Sequence, residues 1–96
     1  MKKPITLKKL QKYVKKKDFK PKQKKKYFMK LIEEVGELAE MVKKDRRLEE
    51  DATSIKGTLE EELADVLFYV IAIANVYDID IEESFLMKER HNSKKK

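Results

Sequence analysis

Apolar residues recur at helical spacing along most of the chain. Leu7, Leu10, Tyr13 and Val14 form a narrow stripe with Thr6 placed to cap it, which predicts a helix over about 6–17. The stretch "KKKDFKPK" breaks the pattern, because Pro21 disfavours helix at Lys20 and suits a new first turn. A second helix is expected over about 21–45, where Phe28, Leu31, Ile32, Val35, Leu38, Ala39 and Val42 follow the i, i+3, i+4, i+7 rule. "DRRLEEDATSIKG", residues 45–57, has no sustained period and reads as a loop long enough to cover a ligand site. The third helix opens on "TLEE", with Thr58 as N-cap and Glu61 completing a capping box, and runs to about Tyr77. From Val66 onward it is apolar on every side and must be enclosed all round. "DIDIEESF" then turns into a fourth helix, capped by Asp80 with Glu83 at its third position, and "NSKKK" reads as a frayed tail.

These elements define an all-α protein, a helical bundle of about four helices per chain. Ninety-six residues make one domain with a small core, and the third helix carries more apolar surface than so short a chain can wrap. The bundle is therefore expected to be completed by oligomerisation, as a homodimer or homotetramer. The expected division is a lysine-rich N-terminal helix over 1–20, a functional helical region over about 21–91 and a basic tail over 92–96. Tyr13, Tyr27, Phe28, Phe68 and Tyr69 read as core by position, and His91 as a solvent-facing residue near a helix end.

Composition narrows the chemistry. With no cysteine, a disulfide framework, a thiolate metal site and a cysteine nucleophile are excluded, and a single histidine excludes chemistry that needs two. The longest apolar run, "VLFYVIAIA", is nine residues, far short of the ~20 of a membrane span, and the start lacks the apolar core of a secretory signal. The expected location is cytoplasmic. The net charge of +6 conceals a division: residues 1–32 hold 14 lysines and one acid, whereas the remainder is net acidic. Such a basic segment suits phosphates or an acidic surface, or serves as a solvated helix face.

The acidic residues carry the sharper signal. On a helical wheel centred on Val35, Glu34 and Glu37 share one flank of the apolar face, while Glu33 and Glu40 fall on the outer side. Glu62 and Asp65 repeat the i, i+3 arrangement on the third helix, immediately before its fully apolar part. Two such helices side by side bring Glu34, Glu37, Glu62 and Asp65 into one cluster, which repels itself and holds protons unless a cation joins it. An all-oxygen, histidine-free site suits Mg²⁺, or Mn²⁺ in its place. Di-iron bundles use Glu-x-x-His pairs, and none occurs here. Gly36, between the two glutamates, costs about 1 kcal/mol in a helix and implies close approach by either a neighbouring helix or a ligand.

At these residues the chain resembles the MazG-like, all-α nucleoside triphosphate pyrophosphohydrolases, whose signature is Glu-x-x-Glu, a spacer and Glu-x-x-Asp. Here it reads "EVGE", 24 residues and "ELAD", and the flanks "LIEEVGELAE" and "EEELADVLFYVIAIA" match in hydrophobic phase over about residues 25–95. The resemblance implies an oligomeric helical bundle with Mg²⁺-dependent hydrolysis of an NTP or dNTP to monophosphate and pyrophosphate. It implies Glu34, Glu37, Glu62 and Asp65 as metal ligands, with Glu33 and Glu61 as acids that orient a water or hold a further ion. It also implies nucleotide contacts from Lys88, Asn92 and Lys95 in "FLMKERHNSKKK", with lysine replacing the usual arginine at Lys95. The competing reading is a non-enzymatic basic helical module that binds nucleic acid through residues 1–32. A basic helix, however, has no need of paired carboxylates at the edge of a core.

Overall fold

The structure, a computed structural model, describes residues 4–94, the side chain of Lys94 apart. Four helices make up the described residues: α1 (Leu7–Lys17), α2 (Lys24–Lys44), α3 (Leu59–Val76) and α4 (Ile81–Lys94). The all-α class holds, with boundaries close to those expected. One difference is that α4 runs through Asn92 and Ser93 to Lys94, where a frayed tail was expected.

α2 and α3 form an antiparallel hairpin, with Tyr27 at the start of α2 packed against the Ile71–Ala72–Val76 end of α3. α1 lies across α3 and supplies Val14 to the same core, flanked by Leu7, Leu10, Phe68, Tyr69 and Ile73. α4 leans on α1. Gln11 ties the α3–α4 turn to α1: its Nε2 donates to the Ile79 carbonyl at 2.6 Å and its Oε1 accepts from the Ile81 N–H at 3.1 Å. Asn75, buried on α3, donates to the Gln11 carbonyl at 3.1 Å.

The start of α3 is pinned by its own sequence. Thr58 Oγ1 accepts from the Glu61 N–H at 3.2 Å and donates to the Ile55 carbonyl at 2.6 Å. The Glu61 carboxylate reaches back past Thr58 to the Gly57 N–H at 2.8 Å, so the expected capping box closes one residue earlier. Gly57 adopts φ +79°, the left-handed region that glycine enters without strain. The loop before it is tethered by Glu60, which accepts from Arg47 Nε and from the Leu48 N–H, both at 2.9 Å. Thr58→Ala should cost about 1 kcal/mol, the usual worth of such a cap, read as a lower midpoint in urea. A cost indistinguishable from zero would mean that Glu61 and Gly57 alone hold this end.

The apolar stripe of α2 is rotated from its expected bearing. The residues turned toward α3 are Tyr27, Leu31, Glu34, Leu38 and Met41, whereas Phe28, Ile32, Val35 and Val42 are exposed in the single chain. The expectation that Phe28 and Tyr13 lie in the core is thus corrected: they are 54% and 53% exposed. The reason is that α2 has apolar residues around more than half its circumference, and one hairpin partner covers only one side. Leu63, Leu67 and Val70 are likewise exposed on α3. The chain presents 8127 Å² of surface, against about 5,800 Å² for a compact monomer of this mass. Its radius of gyration of 15.4 Å also exceeds the roughly 12.5 Å of a self-contained domain.

Candidate carboxylate centre

Glu34 from α2 and Glu62 and Asp65 from α3 meet between the two helices, with one oxygen from each within 4.8 Å of the others. Glu62 is at the centre and is 8% exposed. Its Oε2 is buried without a hydrogen-bond partner. A buried carboxylate oxygen left in this state is costly unless a cation or a proton satisfies it. Accordingly burial, and then the neighbouring Glu34 and Glu37 carboxylates, push Glu62 up to about 7. Burial and the Glu37 charge raise Glu34 above the ordinary glutamate value. Asp65 is raised by burial and then by Glu61 and Glu37.

Burial is the largest cause for all three groups, and the neighbouring carboxylates add to it. None of the ion pairs among the described residues involves the cluster; they join Lys30 to Glu33, Arg47 to Glu60 and Arg90 to Glu83. Oxygen donors only, convergent, partly buried and without a protein cation, fit a hard divalent ion.

The other expected site residues fall in different places. Glu37 lies on the rim, exposed but near enough for its charge to act on all three members. Glu33 faces outward, with its carboxylate 3.8 Å from Lys30. Glu61 is committed to the Gly57 N–H, though its charge reaches Asp65 one turn on. Lys88 and Asn92 stand on α4, the helix that leans on α1, and are not brought to the cluster within this chain. Lys95 lies outside the described residues. Gly36 has nothing within 4 Å of where a Cβ would sit, so close helix packing inside the single chain does not account for it.

Two features beside the centre were not legible in the sequence. Tyr69, one turn after Asp65, lies where the charges of Lys30, Glu34, Asp18 and Asp65 all reach it. Tyr27 closes the α1–α2 connection, its hydroxyl donating to Asp18 Oδ1 at 2.8 Å and accepting from the Lys20 N–H at 2.9 Å. Both aromatics had read simply as core.

Fold and site together define an all-α protein with a carboxylate centre held between two antiparallel helices. The chain belongs to the MazG nucleotide pyrophosphohydrolase family, whose domain model matches residues 22–95. Two solved structures of iMazG from Vibrio DAT 722 are similar to it. The Ctag-iMazG structure is 42% identical and has a TM-score of 0.85, covering 93% of this chain and 99% of that one. The Ntag-iMazG structure is 41% identical, with a TM-score of 0.87 and coverage of 96% and 98%. The Uncharacterized protein YpjD of Bacillus subtilis (strain 168) is 42% identical over 59 residues. That match takes in 56% of this chain and 50% of YpjD, so the chain spans about half the length of this curated relative.

Proposed function

We propose that this chain is a metal-dependent nucleotide pyrophosphohydrolase, which consumes one water to split an NTP or dNTP between its α- and β-phosphates into a monophosphate and pyrophosphate. The observation that carries the reading is the buried, unpartnered Oε2 of Glu62 at the convergence of Glu34 and Asp65. In the proposal Glu34, Glu62 and Asp65 hold Mg²⁺, or Mn²⁺ in its place, with Glu37 joining from the rim. A bound divalent ion supplies charge neutralisation for the phosphate oxygens and a lowered pKa for an attacking water. The chain's own part is to hold the ligands still. Burial fixes Glu62, and the Thr58 cap with the Glu61–Gly57 bond fixes the helix turn that bears it.

The chain acts as a single domain that pairs with a second copy through the apolar faces of α2 and α3, and a cytoplasmic location accords with a nucleotide substrate. Exposed Phe85, Leu86 and Met87 beside Lys88 suit α4 to the same assembly. Lys88 and Asn92 then serve the nucleotide of a neighbouring copy rather than their own cluster. With Mg²⁺ present, a panel of NTPs and dNTPs should yield pyrophosphate and the matching monophosphate. Chelation by EDTA should stop the release. A folded protein that cleaves no member of the panel with either Mg²⁺ or Mn²⁺ defeats the reading.

A further inference from the structure

One helical turn from the carboxylate centre, toward the start of α2, a cleft of about 260 Å³ opens between the α1–α2 connection and α3. Lys20, Gln23, Lys26, Lys30 and Tyr69 line it, and Tyr27 and Asp18 close its floor. Lys30 precedes Glu34 by one turn on α2, and Tyr69 follows Asp65 by one turn on α3. In an antiparallel pair these two steps run in the same direction, so the cleft continues the groove that holds the cluster.

Charge in the cleft is positive and largely unopposed. Asp18 is its one carboxylate, and that group already accepts the Tyr27 hydroxyl. Among the described residues Lys20 and Lys26 have no ion-pair partner, and Lys30 has only exposed Glu33 at 3.8 Å. The backbone adds to this. α2 begins at the cleft with no side-chain cap on Gln23 and no acid in its first turn, which holds Lys24, Lys25 and Lys26 instead. Free N–H groups and lysines together make the start of a 21-residue helix electrostatically unfavourable until an anion joins it. The other three helices do carry a side-chain cap: Thr6, Thr58 and Asp80 each accept a first-turn N–H.

Resting on the pyrophosphohydrolase reading, we propose that the Lys20–Lys26–Lys30 cleft at the start of α2 is the subsite for the β- and γ-phosphates, the part that leaves as pyrophosphate. The volume admits roughly eight waters' worth of ligand, room for a hydrated diphosphate. The ammonium groups match a group whose charge grows as the bond breaks, while the carboxylates one turn away would hold the cation that neutralises the phosphate oxygens. The lysines position the leaving group and do not themselves move a proton.

The test is calorimetric titration, in Mg²⁺ buffer, of inorganic pyrophosphate and of a nucleoside monophosphate. The proteins are the full chain, the double variant Lys26→Gln with Lys30→Gln, and Lys43→Gln, exposed at the far end of α2, as a control for general surface charge. The double variant should weaken pyrophosphate binding at least about tenfold, the scale of losing charge-assisted contacts. Monophosphate binding, and both ligands on the control, should stay within about twofold, an exposed lysine outside the cleft contributing little. Equal weakening of both ligands, or unchanged pyrophosphate binding, overturns the subsite. Should the double variant fail to fold, Lys20→Gln in the connection carries the same comparison. Turnover separates this proposal from the one beneath it. Pyrophosphate release by a chain whose pyrophosphate affinity ignores the lysines sinks the subsite alone. Lysine-dependent pyrophosphate binding without any turnover upholds the cleft and sinks the enzyme.

Discussion

Glu62→Gln should abolish activity and make the metal-free protein more stable at the same time. Gln keeps the volume and shape of the side chain but removes the charge that burial and the Glu34 and Glu37 carboxylates oppose. A rise from 4.5 to about 7 corresponds to about 3 kcal/mol held against folding at pH 8 when no cation is present. The neutral amide also brings N–H donors to a place where carboxylates stand unrelieved. Removing the penalty should therefore raise the midpoint of thermal unfolding by roughly 12–24 °C for a chain of this size. Pyrophosphate release should fall at least about a hundredfold, since a residue proposed to hold the metal should matter no less than the outer groups whose loss costs that much. The paired measurements are thermal melts without metal and turnover with Mg²⁺, with the exposed Glu40→Gln as reference. A variant both less stable and less active would reduce Glu62 to a packing residue. One that kept its turnover would remove the centre from the reaction.

The second large effect is a pH dependence that Mg²⁺ reverses. Glu62, Glu34 and Asp65 all have folded values above their ordinary ones. Between about pH 4.5 and 7 the folded state therefore retains protons that the unfolded chain has released. Stability from this cluster is fully present at the acid end of that window, falls as pH rises through it, and is lost above about 7. The metal-free protein should thus lose stability from pH 5 to pH 8 relative to Glu62→Gln, by an amount approaching the same 3 kcal/mol. If the cluster is the proposed metal site, added Mg²⁺ should bind its ionised form and restore about 2.7 kcal/mol at a hundred times its dissociation constant. At pH 5 protons compete for the same oxygens, and the gain should nearly vanish. Melts at fixed protein concentration, with and without Mg²⁺, read the whole pattern. A Mg²⁺ gain equal at both pH values would mean that the ion binds elsewhere.

Much of the site was visible in the chain because its signal is local. Pairs spaced i, i+3 must share a face of any helix, so Glu34 with Glu37 and Glu62 with Asp65 were fixed as neighbours before any packing. Which member of each pair goes deepest was not fixed. Glu62 became the buried centre and Glu37 the rim, because α2 met α3 along the Tyr27–Leu31–Glu34–Leu38 line rather than along the stripe centred on Val35. Periodicity counts all apolar residues alike, and α2 carries two apolar faces for what the described chain supplies as one partner. The same ambiguity placed Phe28 and Tyr13 inside when they lie outside.

What the sequence alone determined is therefore the short-range part: four helices, their caps at Thr6, Thr58 and Asp80, and two carboxylate pairs each set on one face of its helix. Hydrogen bonds and helical spacing over three or four residues decide these, whatever surrounds them. Tertiary structure decided the rest. It isolated one glutamate oxygen and gathered Lys20, Lys26, Lys30 and Tyr69 from three parts of the chain around one cleft. Those outcomes depend on how two helices rotate against each other, and that rotation is set by the sum of many small contacts rather than by any residue's neighbours in sequence.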